Sequence, residues 1–557
     1  MSDAPKPLRW LALALVVACG GDGSSPARTE SRLTPLGACG PQTEPLRLTG
    51  TVATSDAKTY RLLPFEVGAG TTRIEIGYRW SETLGLPPTP VTQTVLDLGV
   101  WDADGYRSAA GFRGWSGSRQ GRLHEGQEPV FIAAAVAERG YRPGPIEAGV
   151  WTVELGVGSV GPIGADWEVR IDCLGGAPGV PPAADPVDAS HVARDGPAWF
   201  HGDFHMHGFH SNPRGPAMDD FVAQARAAEL DFLMVTEYVT GRHWDELGAM
   251  QRAHPDLLVW PGREIITYYG HANTHGETPD VVEYRHGFED VRLGDIQRAA
   301  KAAGALFQVN HPTIFPGPLF ENFCRGCEFE LGGEIDWSAV DTIEVVTGPI
   351  LTRSSELGLP DLGLEIQNPF VQPAIDLWES LLARGFRITA VSGSDSKGVD
   401  DVGERPRVGY GSSATAVFAD ELSRPALTRA IRDGRAYVRT RGVERSPALE
   451  MSVEAASGET GTFGDTFSAE SARLRVTVRG GAGQRLRYLR NGKTVLVETI
   501  SADSFEHELI VERVPSGEGP LGTFWRIETA DDRSITTIAN PVFLTGGSTS
   551  RTSRRPE

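Results

Sequence analysis

Residues 201–212 read HGDFHMHGFHSN, and the chemistry downstream falls into an intelligible order only if this stretch opens a metal site. In an extended strand, side chains two apart share a face, so Asp203, His205 and His207 point one way while Phe204 and Met206 point the other. Two imidazoles on one face are a chelating pair. An HxH alone is weak evidence, because histidines also sit satisfied in cores or on surfaces.

Working outward, the strand Trp199 to His207 is followed by a helical stretch from Asp219 to Glu229 and the apolar strand Phe232 to Val235. A strand at Leu257 to Trp260, a helix near Asp290 to Ala303, and strands at Ala305 to Val309, Thr342 to Val346 and Ile388 to Val391 continue the alternation. Apolar runs bounded by turn signals and separated by helices predict parallel strands buried on both faces, in a closed or nearly closed βα barrel over 197–441. In such barrels functional residues gather where strands end and the following loops begin. The flanks have another texture. Residues 39–175 alternate with period two, as in Ile74, Ile76, Tyr78 and Trp80, and 442–546 do so again, with Leu474, Val476 and Val478 on one face and Asn491-Gly492 offering a hairpin turn. Each predicts an antiparallel β-sandwich. A Pro/Gly/Ala linker, 176–196, joins the first sandwich to the barrel, and a polar tail, 547–557, ends the chain.

Metal-capable residues recur at the strand ends: His205 and His207, Glu264 in PGREI, His271 in YYGHANTHG, His311 in VNHP and Asp395 in SGSDSKG. Mn²⁺, Fe²⁺ and Zn²⁺ take mixed imidazole and carboxylate sets, and Glu264 is placed to bridge two ions. Each residue alone has a plainer role open to it: Glu264 could pair with Arg263, His311 could cap the turn before Pro312, and Asp395 could cap a helix.

The chain has 557 residues, 40% hydrophobic and 23% charged, with a formal net charge of -20. That is a globular composition with room for several cores, and it lacks the basic footprint that nucleic acid requires. Lys6 and Arg9 precede a short apolar run ending in Val16-Val17-Ala18-Cys19, too short to span a bilayer. Residues 1–19 therefore read as an export signal with a lipobox, Cys19 being the lipidation site and 20–38 a polar tether. A plain signal peptide with an incidental cysteine is the other reading. Either way the expected product is exported, and with the lipid it is a membrane-anchored bacterial lipoprotein of the periplasm or cell surface. Export favours a disulfide between Cys39 and Cys173, and a local one across Cys324 and Cys327 rather than a zinc knuckle, which would need a second ligand pair nearby.

The motifs FHGDFHMH, VTEY, PGREI, YYGHANTHG, VNHP and SGSDSKG, in that order, resemble the PHP (polymerase and histidinol phosphatase) superfamily over residues 197–441. The flanking β-domains and lipoprotein signal look like its carbaryl-hydrolase-like CehA/McbA branch. The resemblance implies a distorted (β/α)7 barrel flanked by two antiparallel β-sandwich domains. It also implies two divalent metal ions, Zn, Mn or Fe, with His205, His207, Glu264 and Asp395 matching the ligands of the first and Glu264, His271 and His311 those of the second. His275 is an alternative ligand. Where relatives place two further histidines for a third ion, this chain reads Thr236-Glu237-Tyr238 and Asp395-Ser396-Lys397, with Glu237 and His210 as local candidates. Lys397 and Tyr238 thus become candidate catalytic groups, an ammonium standing in for a metal charge.

The expected activity is hydrolysis of an ester, carbamate or phosphoester bond of a small-molecule substrate by water activated between two metals. The rival expectation is an inactive metal-binding cell-surface lipoprotein that recognises a polymer or glycan.

Overall fold

Between residues 38 and 175 the period-two patterning produces two facing sheets in the computed structural model. In spatial order one runs Ala38–Cys39, Thr59–Val67, Gly149–Ser159, Val95–Trp101, Phe112–Ser118, and the other Leu46–Val52, Ala165–Gly175, Thr71–Trp80, Val130–Ala133. Phe65, Leu98, Trp151 and Val153 from the first share a core with Ile74, Ile76, Val169 and Ile171 from the second. The Cys39–Cys173 disulfide joins the two sheets. Val95–Trp101 is buried at every position rather than at alternate ones, because the outer face of its sheet meets the central region. There Asp97 accepts from Tyr268 Oη at 2.8 Å and Glu154 from Arg285 Nη1 at 3.1 Å.

The structure describes residues 33–81, 93–118, 128–211, 217–276, 283–317, 320, 324–353, 363, 365–398, 409–516 and 519–546. The signal segment with Cys19, the tether up to residue 32 and the tail 547–557 lie outside them. Pro35–Glu557 form one unit.

The central region contains β1 (Ala198–Met206), β2 (Phe232–Tyr238), β3 (Leu258–Thr267), β4 (Gly270–His275), β5 (Leu306–Val309), β6 (Thr342–Thr347), β7 (Thr389–Gly393), β8 (Ala414–Ala419) and β9 (Ala436–Arg439). Its helices are α1 (Met218–Ala227), α2 (Leu247–Ala253), α3 (Leu293–Ala302), α4 (Val371–Ala383) and α5 (Arg424–Arg432). The strands form one mixed sheet in the order β7-β6-β5-β4-β3-β2-β1-β8-β9. β1, β2 and β3 run parallel to one another, as do β5, β6 and β7, but β4 is antiparallel to both β3 and β5, and β8 is antiparallel to β1 and β9. The sheet curls until the residues after β7 return to β1. Met206 bridges Ser396, His207 N donates to Ser396 O at 2.9 Å, and Asp395 N donates to His205 O at 2.9 Å.

The chain is multidomain, as expected, and it is more strand-rich than the expected barrel implies. The seven-fold strand-helix repeat of a (β/α)7 barrel is not shown, because the YYGHANTH segment forms the antiparallel β4 instead of a loop leading into a helix. A tight turn at Tyr268-Tyr269 folds β4 directly back on β3, pairing Thr267 with Gly270.

The large sheet does not stop at residue 441. Tyr437–Arg439 of β9 pair with Thr537–Ala539, and the sheet continues through Thr523–Ala530, Arg485–Arg490 and Lys493–Thr499. A four-stranded antiparallel sheet, Thr460–Gly461, Ala448–Ala455, Ser471–Arg479 and Ser504–Glu512, covers it. Leu449, Met451, Leu474 and Val476 pack there against Leu486, Tyr488 and Ile527. Asn491 and Gly492 both have positive φ, 46° and 78°. These angles suit the twist of a two-residue hairpin.

Candidate metal centre

In β1, Phe204 and Met206 are buried in apolar clusters, which turns His205 and His207 to the opposite face, into the concave side of the curl. Their Nε2 atoms lie 3.1 Å apart. Asp203 shares that face but is committed to the backbone, its carboxylate accepting from the N–H groups of His205, Ser394 and Gly411 at 3.1, 2.9 and 2.9 Å. It therefore ties β1 to the segments that follow β7 and precede β8.

Glu264, on β3, lies at the centre and is 1% exposed. Its Oε1 is 3.3 Å from His205 Nε2, 3.2 Å from His271 Nδ1 and 3.4 Å from His311 Nε2, and its Oε2 is 3.3 Å from His207 Nε2. Asp395 Oδ1 completes the group at 3.0 Å from His207 Nε2 and 3.6 Å from His205 Nε2. The six residues form two sets that share Glu264: His205, His207, Glu264 and Asp395, and Glu264, His271 and His311, the ligand atoms of each set lying within 4.8 Å of one another.

These separations suit a cation. Nitrogen and oxygen ligands about 2.1 Å from a tetrahedral metal stand roughly 3.4 Å from each other. Two further observations support the fit. Glu264 Oε2 is buried and has no hydrogen-bond partner among the described residues, a costly state unless something else satisfies it. The paired Nε2 atoms of His205 and His207 also face each other, and only a proton or a cation relieves two opposed lone pairs.

Every imidazole is held from behind. His205 Nδ1–H donates to Glu344 Oε1 at 2.9 Å, His271 Nε2–H to the Arg325 carbonyl at 2.9 Å, and His311 Nδ1–H to the Cys327 carbonyl at 3.2 Å. Each bond fixes the tautomer and leaves the other nitrogen's lone pair aimed at Glu264. His207 Nδ1 meets Ser211 Oγ at 3.2 Å, and that hydroxyl donates to Glu237. Glu237 thus acts behind the cluster, not in it. His311 and Asp395 both have left-handed φ, 27° and 48°. Such conformations cost about 1–3 kcal/mol and persist where surrounding bonds enforce them; here His311 N donates to Glu344 Oε2 at 2.8 Å and Asp395 N to the His205 carbonyl.

The electrostatics follow from three carboxylates around buried imidazoles. Burial alone would raise the Glu264 carboxyl, but the charge of His205 and the close approach of the His205, His207 and His271 imidazoles hold it well below the usual range. Burial opposes charging His205, yet Glu264, Glu344 and Asp395 together raise it well above an ordinary imidazole. His311 is raised in the same way, and His271, where burial dominates, is lowered. The cluster attracts positive charge, and cations compete for it with protons.

No family model and no curated protein matches the chain. Among solved structures it resembles a two-domain protein from Bacteroides vulgatus said to contain a predicted PHP-like metal-dependent phosphoesterase, at 17% identity and TM-score 0.32, covering 66% of this chain and all of that one. A second, from Bifidobacterium adolescentis and described as a candidate metal-dependent phosphoesterase, matches at 13% identity and TM-score 0.23, covering 44% of this chain and 96% of that one. Likenesses this faint leave the site to be read from its own geometry.

The two candidate catalytic groups lie beside the cluster. The Tyr238 ring packs on His207 with centroids 4.0 Å apart. Lys397 donates to the carboxylate and carbonyl of Asp395, and its ammonium stands 5.3 Å from the Tyr238 ring centroid. Burial raises the Tyr238 hydroxyl, which keeps its proton at neutral pH. Burial opposes the Lys397 charge, but Asp395 and Tyr238 outweigh it and raise the group. Trp115, from the N-terminal sheets, packs edge-on to Tyr238 at 6.3 Å.

Two other histidines do not join the cluster. His275 faces Gln308 Oε1 at 3.3 Å and packs edge-on to Phe204. His210 pairs with Glu246 at 2.8 Å and takes the Gly140 N–H on its Nδ1. The main residue missed by sequence reasoning is Glu344 on β6. Its signal was a lone carboxylate in the apolar strand TIEVVT, which burial would forbid without partners.

A third buried histidine gives a pH prediction. His243 Nε2–H donates to the Gly262 carbonyl at 2.8 Å, while its Nδ1 has no hydrogen-bond partner among the described residues. Burial lowers its pKa to about 4. The unfolded chain, with a value near 6.5, binds that proton more tightly. The stability His243 contributes is therefore present above pH 6.5 and lost as pH falls toward 4. At about 1.4 kcal/mol per unit, His243→Gln should become less destabilising, relative to the parent, by about 2 kcal/mol between pH 7 and pH 5. Urea unfolding of both metal-free proteins at the two pH values measures this; a pH-independent difference would show that the imidazole is not held neutral.

Proposed function

We propose that this protein is a metal-dependent hydrolase of ester or phosphoester bonds that works with two divalent cations, Zn, Mn or Fe. The observation that carries the reading is the convergence of five further ligand residues, in two sets, on the buried Glu264, whose Oε2 has no hydrogen-bond partner among the described residues. His205, His207, Glu264 and Asp395 would hold one cation, and Glu264, His271 and His311 the other. Bound there, the pair would supply Lewis acidity to a carbonyl or phosphoryl oxygen and make a water acidic enough to attack at neutral pH.

The chain's own groups account for the rest. Glu344 and the carbonyls of Arg325 and Cys327 keep three imidazoles in their ligating tautomers. Tyr238 braces the His207 ring and, with its proton retained, can donate a hydrogen bond to a substrate oxygen. Lys397 carries a fixed positive charge at the rim, suited to an anionic substrate group or to developing negative charge. Lys397→Ala should lower turnover about tenfold or more while both cations stay bound; unchanged turnover on a well-cleaved substrate would leave Lys397 only as a partner of Asp395.

The PHP-type barrel and the carbaryl-hydrolase-like branch belong to the same proposal. The return of the post-β7 segment to β1 supports the barrel, and the branch would turn the bond cleaved toward carboxyl or carbamate esters. An exported protein anchored by lipid on Cys19 is proposed as well, in keeping with two disulfides, which persist in oxidising compartments. Activity of the reconstituted protein on aryl phosphate, aryl carboxylate and aryl carbamate esters tests the function. Hydrolysis of one class names the bond. Two bound metals with no hydrolysis of any would favour the rival, a surface protein that binds a polymer or glycan.

A further inference from the structure

Two of the ligand histidines are held from behind by one short turn. Cys324 and Cys327 are disulfide-bonded, and Gly326 between them has φ 82°. The Arg325 carbonyl accepts from His271 and the Cys327 carbonyl from His311. Both histidines belong to the set with Glu264 alone, and neither belongs to the set with His205, His207 and Asp395. The turn is also packed to contact. A Cβ at Gly326 would lie 2.2 Å from the Thr267 carbonyl oxygen and 2.9 Å from His271 Nε2. Just beyond it, Phe329 N donates to the Pro312 carbonyl at 3.0 Å and Glu328 bridges Thr313, so the same segment grips the loop that carries His311.

We propose that the disulfide-closed turn Cys324–Cys327 is the positioning element of the second metal set and governs its affinity separately from the first. The disulfide closes a ring that contains the Arg325 carbonyl and carries the Cys327 carbonyl on its last Cα, so a shift of the ring displaces both. The turn therefore presents two acceptors at fixed places, and each holds an imidazole N–H outward and the opposite lone pair inward. Outer partners of this kind are worth about 10–100-fold in metal affinity. The first set takes its support from Glu344, Ser211 and Lys397; Glu344 also accepts the His311 backbone N–H, but the imidazole rings of the second set are held by the turn. This inference rests on the reading of the cluster as a two-cation site.

The test uses full-length protein, Zn²⁺ as the probe, and two variants. In Cys324→Ser/Cys327→Ser the covalent closure is gone; in Gly326→Ala it is kept but the turn is pushed off His271. We expect the parent to retain two Zn²⁺ per chain. Each variant should bind the first with parental affinity and the second about 10–100-fold more weakly. Anomalous scattering from variant crystals at limiting Zn²⁺ should place the retained ion beside His205 and His207. Two ions bound by both variants with parental affinity would overturn the proposal, as would equal weakening of both sites. If the serine variant does not fold, Gly326→Ala decides alone by the same criteria. A parent that binds no cation would instead remove the two-cation reading on which this rests.

Discussion

Glu264→Ala should abolish paired metal binding and reduce turnover by about 1000-fold or more, equivalent to about 4 kcal/mol of barrier. Among the described residues no other side chain belongs to both ligand sets, and its two oxygens face four imidazole nitrogens at 3.2–3.4 Å. Removing it leaves His271 and His311 without a carboxylate in their set. It also leaves His205 and His207 with Asp395 alone. Glu264→Gln separates charge from shape, since the amide keeps one ligating oxygen but cannot serve two cations. It should retain at most one ion per chain. Metal analysis and turnover measured on folded variants check both, and full metal content with full activity in Glu264→Ala would refute the bridging assignment.

The second large effect is expected at a residue that never meets a cation. Glu344 accepts four hydrogen bonds: Oε1 takes His205 Nδ1–H at 2.9 Å and Gln308 Nε2–H at 3.1 Å, and Oε2 takes the His311 N–H at 2.8 Å and the Thr347 hydroxyl at 2.9 Å. Both oxygens are therefore fully used by donors. A glutamine here must turn its NH₂ toward one of those pairs, whichever way it is oriented, and set donor against donor at a buried position. A buried donor left unpaired costs about 1–3 kcal/mol, and His205 loses the bond that fixes its tautomer. Glu344→Gln should weaken metal affinity by about 10–100-fold, with turnover at saturating metal reduced much less than in Glu264→Ala. Competition against a chelator of known affinity measures the first quantity. Parental affinity in this variant would show that the rear carboxylate does not set the ligand geometry.

The site was more legible than the fold, and the reason is physical. Metal ligands must be His, Asp or Glu at the ends of strands, so PGREI, VNHP and SGSDSKG betray themselves by chemistry, and the structure brings those residues together with His205, His207 and His271. Their supports were harder to see. The carbonyls of Arg325 and Cys327 are backbone atoms and carry no residue signature, and Glu344 looks like a stray charge until its four donors are in view. His275 differs from His271 by four positions and no visible property; only the register of β4 against β3 decides which of them meets Glu264. The same strand is where the strand-helix alternation expected of the barrel breaks. YYGHANTH has the glycine and polar residues of a loop, and its antiparallel pairing depends on contacts with β3 and β5 that local sequence does not encode. The period-two flanks were readable because one face of each strand is buried. The run of the C-terminal strands into the central sheet was not, since β9 and its partner Ile535–Ala539 are almost one hundred residues apart and alternation says nothing about which edge a strand joins.

The function proposed for the site requires two cations sharing Glu264. The direct measurement is the metal content of the full-length protein, stripped, reconstituted separately with Zn²⁺, Mn²⁺ and Fe²⁺, and freed of loose ions. Two ions per folded chain with at least one of these metals is the predicted result. A folded chain that retains none, or that saturates at one with Glu264 intact, would contradict it.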